Sequence, residues 1–316
     1  MADQRNGGIT WTEETWNPLR GCSRVSEGCR NCYAEAMAGR FSGVGQPYEG
    51  TINPDTRRWN GTIKLVHEKL TDPLHWSRPR TVFVNSMSDL FHEGVPDEFI
   101  DQVFAVMALA KQHTFQVLTK RPERMLDYLR SSAVRDKWAC AGDAFADSME
   151  PQRYANLSHI GEPGNKVSVF TQFPLPNVWL GVTAENQEAA DERVPLLLQT
   201  PAAVRWVSVE PMLGAIDLHH VRDGEFTFDA LSKKEGIAYR ATGLDWVVVG
   251  GESGSNARPM HPSWPRALRD QCAAAGVPLL FKQWGEHDYR MIRMGKHESG
   301  RILDGVLHDG YPEAGL

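Results

Sequence analysis

The sequence predicts a single α/β domain, residues 1–316, built on a full or partial parallel (β/α) barrel of TIM-like type. Three observations predict it. From residue 80 onward, short apolar runs alternate with stretches of helical periodicity. The apolar runs end in polar phrases, and a parallel barrel carries its chemistry at the C-terminal ends of its strands. Ahead of them, a loop at residues 20–35 holds three of the five cysteines.

Taken in order, residues 1–7 are polar and are expected to be disordered. Gly8-Ile9-Thr10-Trp11-Thr12 is short, β-branched and aromatic, and reads as the first strand. The cysteine loop follows, and Cys32 to Phe41 reads as a helix of good formers that begins at the last cysteine. Residues 42–62 are rich in Gly, Pro, Asn and Arg without periodicity, and are expected to be a loop that covers the site. Further strands are expected at Thr81–Asn85, Phe115–Thr119, Val178–Val182, Val204–Val209, Asp245–Gly250 and Pro278–Lys282. Helices are expected from Asp97 to about Gln112, from Pro122, from about Asn186 with an interruption at Pro195, and from Ser263 to Ala275. Residues 131–176 and 217–243 break the alternation and read as two insertions. Asp304-Gly305 between apolar pairs predicts a C-terminal hairpin over about 300–309 that plugs or caps one barrel end.

Composition bounds the function. There is no apolar run of spanning length and no charged-then-apolar leader, so the expectation is a soluble, cytoplasmic protein without a membrane partner. Five cysteines with three in one loop do not form a disulfide framework. A formal net charge of −6 gives no overall pull toward nucleic acid, although a local basic patch can still do so. Oligomeric state is not legible.

Cys22, Cys29 and Cys32 are spaced C-x6-C-x2-C, which makes a metal site one protein ligand short. A structural zinc site closes with a fourth Cys or His, and the nearest His in sequence, His67, lies well outside the loop. A [4Fe–4S] cluster held by three cysteines leaves one iron open to a small molecule. A zinc knuckle and unbound thiols are the alternative readings of the same residues.

The loop resembles that of the radical S-adenosylmethionine (SAM) superfamily, with a first gap longer than the commonest C-x3-C-x2-C. The phrases Thr15-Trp16-Asn17-Pro18, Gly28-Cys29-Arg30-Asn31-Cys32-Tyr33-Ala34-Glu35, Asn85-Ser86-Met87-Ser88-Asp89-Leu90-Phe91, Leu118-Thr119-Lys120-Arg121-Pro122, Gly181-Val182-Thr183-Ala184-Glu185, Ser208-Val209-Glu210-Pro211, Gly250-Gly251-Glu252-Ser253 and Lys282-Gln283-Trp284-Gly285 resemble a phage-associated three-cysteine family of bacteria and phages. The resemblance implies a [4Fe–4S] cluster on Cys22, Cys29 and Cys32. It also implies cleavage of SAM to a 5′-deoxyadenosyl radical, and an electron donor that reduces the cluster.

The remaining candidates follow the strands. The Gly-Gly-Glu that the superfamily commonly uses for the SAM amino group is absent after the second strand; Ser86, Ser88 or Asp89 can replace it, or can form a local cap. Thr183, Glu185 and Asn186 suit a ribose diol and equally an N-cap with a first-turn acid. Glu210 before Pro211 can hold an ammonium or act as acid or base. Gly250, Gly251 and Glu252 allow close ligand approach at the sixth strand. Lys120 and Lys282 with Trp284 can bind phosphate and stack a base, or form a solvated face with core packing. Arg121 and Arg124 stand beside Lys120. Cys272 reads as core, and Cys140 has no evident role. The expected function is a radical SAM enzyme with a nucleic acid among its candidate substrates. The alternative is a metal-stabilised nucleic-acid-binding or scaffold protein without turnover.

Overall fold

The computed structural model describes residues 9, 11–148, 172–233 and 243–313. Seven strands form one parallel sheet in chain order, curled into a half-barrel: β1 (Glu14–Trp16), β2 (Thr81–Val84), β3 (Thr114–Thr119), β4 (Val178–Thr183), β5 (Val204–Val209), β6 (Trp246–Gly250) and β7 (Leu279–Gln283). Every neighbouring pair in this sheet is parallel. The six strands from β2 onward start and end within a residue of expectation. The first does not: Thr15 pairs with Phe83 in β1, while Trp11 lies ahead of the strand. Of the expected Gly8–Thr12 strand, Gly8 and Thr10 lie outside the described residues, as do residues 1–7.

Strand period sets two faces. Val82, Val84, Phe115, Val117, Val178, Leu180, Val207, Val247 and Phe281 join the main core, against the helices Asp97–Leu109 (α2), Pro122–Arg130 (α3), Gln187–Gln199 (α5) and Ser263–Ala275 (α6). The alternate residues Phe83, Trp179, Trp206, Trp246, Val248 and Leu280 face the concave side, where they enclose Trp11. The Trp11 ring stands edge-on to Phe83, Trp206 and Trp246, with centroids at 4.8, 5.2 and 5.8 Å. These residues fill the end of the half-barrel where the strands begin.

The tail completes that seal. Leu303 and Val306 pair across Asp304 and Gly305, both at positive φ, so the expected Asp-Gly hairpin is present. Arg266 and Arg269 on α6 hold Asp304 at 2.8 and 2.7 Å. The chain then runs along the free edge of β7, with Phe281 N–H donating to His308 O and Gly310 N–H to Leu279 O. Tyr311 enters the concave face, 4.6 Å from the Trp246 ring, and its hydroxyl accepts from Gln116 Nε2 at 3.0 Å.

Two further expectations are corrected. The first insertion, expected to be irregular, opens with the helix Val134–Ser148 (α4), whose Trp138 stacks on Phe104 at 4.7 Å and 7°. The Trp138 indole N–H donates to Tyr128 Oη, which donates to Asp101. Residues 149–171 of that insertion lie outside the described residues, as do 234–242 of the second. The second insertion contains an antiparallel ribbon, Val221–Asp223 with Phe226–Phe228, tied to α5 by Arg222 and Asp191 at 2.8 Å. Pro195 does not interrupt α5. The helix forgoes one backbone bond there, and burial of Val194, Leu197 and Leu198 on the same turns offsets the loss. No helix among the described residues is long and apolar enough to cross a membrane.

If Tyr311 plugs the half-barrel, Tyr311→Ala loses about 3 kcal/mol of stability and Tyr311→Phe about 1 kcal/mol. Urea denaturation followed by tryptophan fluorescence reads both. Loss of less than about 0.5 kcal/mol in Tyr311→Ala would mean the tail is only loosely applied.

Candidate active site

The cysteine loop crosses the end of the half-barrel where the strands finish. Its last cysteine caps the helix Tyr33–Arg40 (α1), as expected. Cys32 Sγ lies near the N–H groups of Ala34 and Glu35, which favour its thiolate, yet burial outweighs them and raises the thiol above its ordinary value. Burial pushes Cys22 up to about 12, and the nearby Asp89 carboxylate and the other two thiols of the loop add to it.

Three carboxylate–arginine pairs from three strand ends fasten the loop. After β2, Asp89 accepts from Thr119 Oγ1 at 2.7 Å, from Lys120 N at 3.2 Å and from Arg121 Nη1 at 3.0 Å. Arg121 reaches on to Ser23 Oγ at 2.7 Å, beside Cys22. After β4, Glu185 pairs with Arg193 at 3.0 Å, their side chains only 2% and 3% exposed. The other Glu185 oxygen accepts from the Gly28 N–H at 3.3 Å, and a Cβ on Gly28 would stand 3.1 Å from that carboxyl carbon. After β6, Glu252 accepts from Arg258 Nη2 at 2.6 Å and from Asn31 Nδ2 at 3.0 Å. Arg258 also donates to Glu27 O at 3.0 Å. Burial alone would raise the Glu185 and Glu252 carboxyls, but their arginines outweigh it and hold both below the usual range.

From outside, Glu35 on α1 is buried, accepts from Trp59 N at 2.8 Å and pairs with Arg24. Trp59 and Ile52 pack on Ala38 and against Cys22. The 42–62 loop thus folds over the first cysteine, as expected of a cover.

Under the cysteine loop lies a cavity of about 310 Å³. Gly28, Asn31 and Cys32 line its top and Trp11 its floor; Phe83, Leu118, Thr183 and Ser208 line its walls. Ser86, Lys120, Glu210, Gly251, Glu252 and Lys282 also face it. Lys282 Nζ donates to Glu210 Oε1 at 2.6 Å. Lys296, from a one-turn helix, adds a third ammonium, and burial lowers its pKa with Lys282 nearby.

A family model described as "Protein of unknown function (DUF5131)" matches residues 6–312. The chain belongs to the DUF5131 family. Comparison with curated proteins and with solved structures gives no match.

In this DUF5131 chain the strand-end candidates divide into two groups. Ser86, Thr183, Glu210 and Lys120 with Lys282 reach the cavity. Asp89 and Glu185 instead spend their oxygens on the clamps, and Glu252 does both. Asn186 caps α5, its side chain accepting from Ala189 N at 2.9 Å. Ser88 Oγ donates to Leu19 O at 3.2 Å and steadies the approach to Cys22. Gly250 leaves room for the Glu210 side chain, and Gly251 for the Trp284 carbonyl, so the chain itself makes the close approach expected of a ligand. Trp284 is corrected outright: it is core, 3% exposed, with its N–H on Ile302 O at 2.8 Å and no face free to stack a base. Arg124 donates to the carbonyls of His92 and Val95 and to Asp97. Cys272 is core, as expected.

Arg193, Arg258, His92 and Lys296 were not signalled as site residues by the strand-end phrases. Arg193 and Arg258 carried one faint sign: each follows its carboxylate by less than three helical turns of chain. His92 Nδ1 accepts from Gly94 N at 3.0 Å, so Nε2 carries the proton that faces Ser23 Oγ at 2.9 Å. Neither nitrogen is left to ligate a metal. Among the described residues, no three His, Cys, Asp or Glu side chains converge as they would on a single ion.

Removing one partner of a buried pair leaves the other charge uncompensated. Glu185→Gln should cost about 3–5 kcal/mol in urea denaturation and should speed alkylation of Cys29 severalfold. Unchanged alkylation would mean that the pair stabilises the barrel without fastening the loop.

Proposed function

We propose that this protein is a radical SAM enzyme, with Cys22, Cys29 and Cys32 holding a [4Fe–4S] cluster. One observation carries the reading: the three-cysteine loop is fastened across the mouth of the half-barrel so that Cys32 forms part of the top of a cavity lined by charged side chains. The donor set fits the group. Three thiols share the loop, the histidine next to it is already committed, and no further thiol among the described residues is near. That suits a cluster with one open iron better than a closed zinc site. Cluster and SAM, when bound, would supply one-electron radical chemistry that the side chains cannot.

The chain's own residues have the tasks of binding and exclusion. Glu210 and Glu252 can hold a cationic amine of the cofactor, while Lys120 and Lys282 can hold its carboxylate. Ser86, Thr183 and Ser208 offer hydroxyls to a ribose. Trp11, Phe83 and Leu118 supply apolar surface, and the tail keeps water from entering through the floor. An open cluster also requires an electron donor that approaches from outside the loop.

Anaerobic reconstitution tests the reading. The protein should take up about four irons per chain. Cys22→Ala, Cys29→Ala and Cys32→Ala should each lose the visible absorbance, while Cys272→Ala keeps it. With dithionite and SAM, the loaded protein should release 5′-deoxyadenosine, and Glu210→Gln should weaken SAM binding roughly tenfold with iron retained. Tightly held zinc with no iron uptake would contradict the proposal.

A further inference from the structure

The outer side of the cysteine loop carries a groove of about 930 Å³. Arg24, Arg30, Arg40, Arg57, Arg58 and Arg258 line it. The carboxylate among its lining residues is Glu35, which Arg24 already neutralises. Arg258 is committed to Glu252, and Arg30 stands 3.7 Å from Glu27 with both side chains well exposed. Arg40, Arg57 and Arg58 make no ion pair among the described residues. A chain with a formal net charge of −6 thus brings three guanidinium groups without an ion pair to one groove.

The fold takes trouble to gather them. Arg40 ends α1, whereas Arg57 and Arg58 sit at the tip of a turn closed by the Ile52–Trp59 bridge. Asn53 Oδ1 caps that turn through the N–H groups of Asp55 and Thr56. Arg57 adopts φ 59°, a left-handed conformation that a long side chain seldom takes, and its guanidinium donates to Gly39 O on α1. That bond sets the turn against the helix, so that three arginines from two segments share one surface.

The groove leads to the chemistry. Asn31, Cys32, Tyr33 and Ser253 line both the groove and the cavity. Tyr33, directly after the last cysteine, is 63% exposed on this shared rim. An exposed aromatic ring beside a row of unpaired guanidinium groups is the pattern that binds a single nucleic-acid strand: the cations follow the phosphates and the ring stacks a base.

We infer that the groove binds a single-stranded phosphodiester chain and presents one nucleotide, stacked on Tyr33, to the cavity at Cys32. This names the substrate class of the chemistry proposed above and takes its purpose from that reading, although the binding itself needs no cluster. Phosphate contact falls to Arg40, Arg57 and Arg58, whereas Lys120 and Lys282 lie within the cavity.

The test is fluorescence anisotropy of the cluster-loaded protein with labelled single-stranded DNA and RNA of about 16 nucleotides and with the corresponding duplex. Single strands should bind, with affinity falling steeply as salt rises. Arg40→Gln/Arg58→Gln should weaken binding roughly tenfold and flatten the salt slope by about 1.4, at about 0.7 per lost contact. Tyr33→Ala should weaken it roughly tenfold with the slope unchanged. Lys111→Gln, remote at the strand-start end, should change neither. Cys29→Ala should retain binding while losing iron, so a failure of the groove and a failure of the cluster read out separately. Absence of binding at low salt, a preference for duplex, or a double variant that binds like wild type would each overturn the inference. A preference between DNA and RNA would identify the natural strand.

Discussion

The structure depends on three carboxylate–arginine pairs that stand at the ends of β2, β4 and β6. A sixteen-residue loop with three cysteines has little apolar surface of its own to bury, so it cannot hold a shape by packing. Asp89 with Arg121, Glu185 with Arg193, and Glu252 with Arg258 supply the shape from beneath. Each pair passes a hydrogen bond to the loop, at Ser23, at Gly28, and at Glu27 and Asn31 respectively. Ion pairs this buried are poor sources of net stability, since desolvation offsets much of their attraction. Their value lies in direction: a buried charge tolerates few arrangements, and these hold the cysteine loop over the cavity with Cys32 on its lining.

The cavity follows from strand period and from the two chain ends. Alternate residues of a parallel strand face opposite ways, so apolar side chains outward pack the helices while the inward set is free to vary. Near the strand starts that inward set is Trp179, Trp206 and Trp246, closed by Trp11 from one end of the chain and Tyr311 from the other. Near the strand ends it becomes Thr183, Ser208, Glu210 and Lys282. A sheet of seven strands that does not close on itself thereby acquires a floor, a polar rim and a top.

Much of this was legible from the residues. Short, largely apolar runs such as Val204–Val209 and Trp246–Gly250, alternating with helical stretches, read as strands of a parallel sheet; the spacing left a full or a partial barrel open, and the fold is the partial one. Trp11 misled because a short β-branched and aromatic stretch looks like a strand, whereas its ring serves as a plug and the edge strand carries Glu14 instead. The helix Val134–Ser148 was hidden because its large apolar residues are few: Val134 and Trp138 are buried one turn apart amid charged and alanine positions. The polar strand ends were legible as a site, yet their roles were not. Asp89 and Glu185 look like cofactor ligands until their arginines are placed, and such pairing depends on folding rather than on spacing. Trp284 misled for a related reason: two residues on from Lys282, it should share that residue's face by strand period, but β7 ends at Gln283 and the indole turns into the core, its N–H on Ile302 O.

The central claim is that the fastened loop turns the open corner of a metal cluster toward the cavity. Mössbauer spectroscopy of protein loaded with iron-57, recorded with and without SAM, tests this most directly. The predicted result is a cubane spectrum in which a single iron site changes its isomer shift when SAM is added and the others do not. Irons that all remain equivalent on addition of SAM, or a chain that binds no cubane at all, would contradict it.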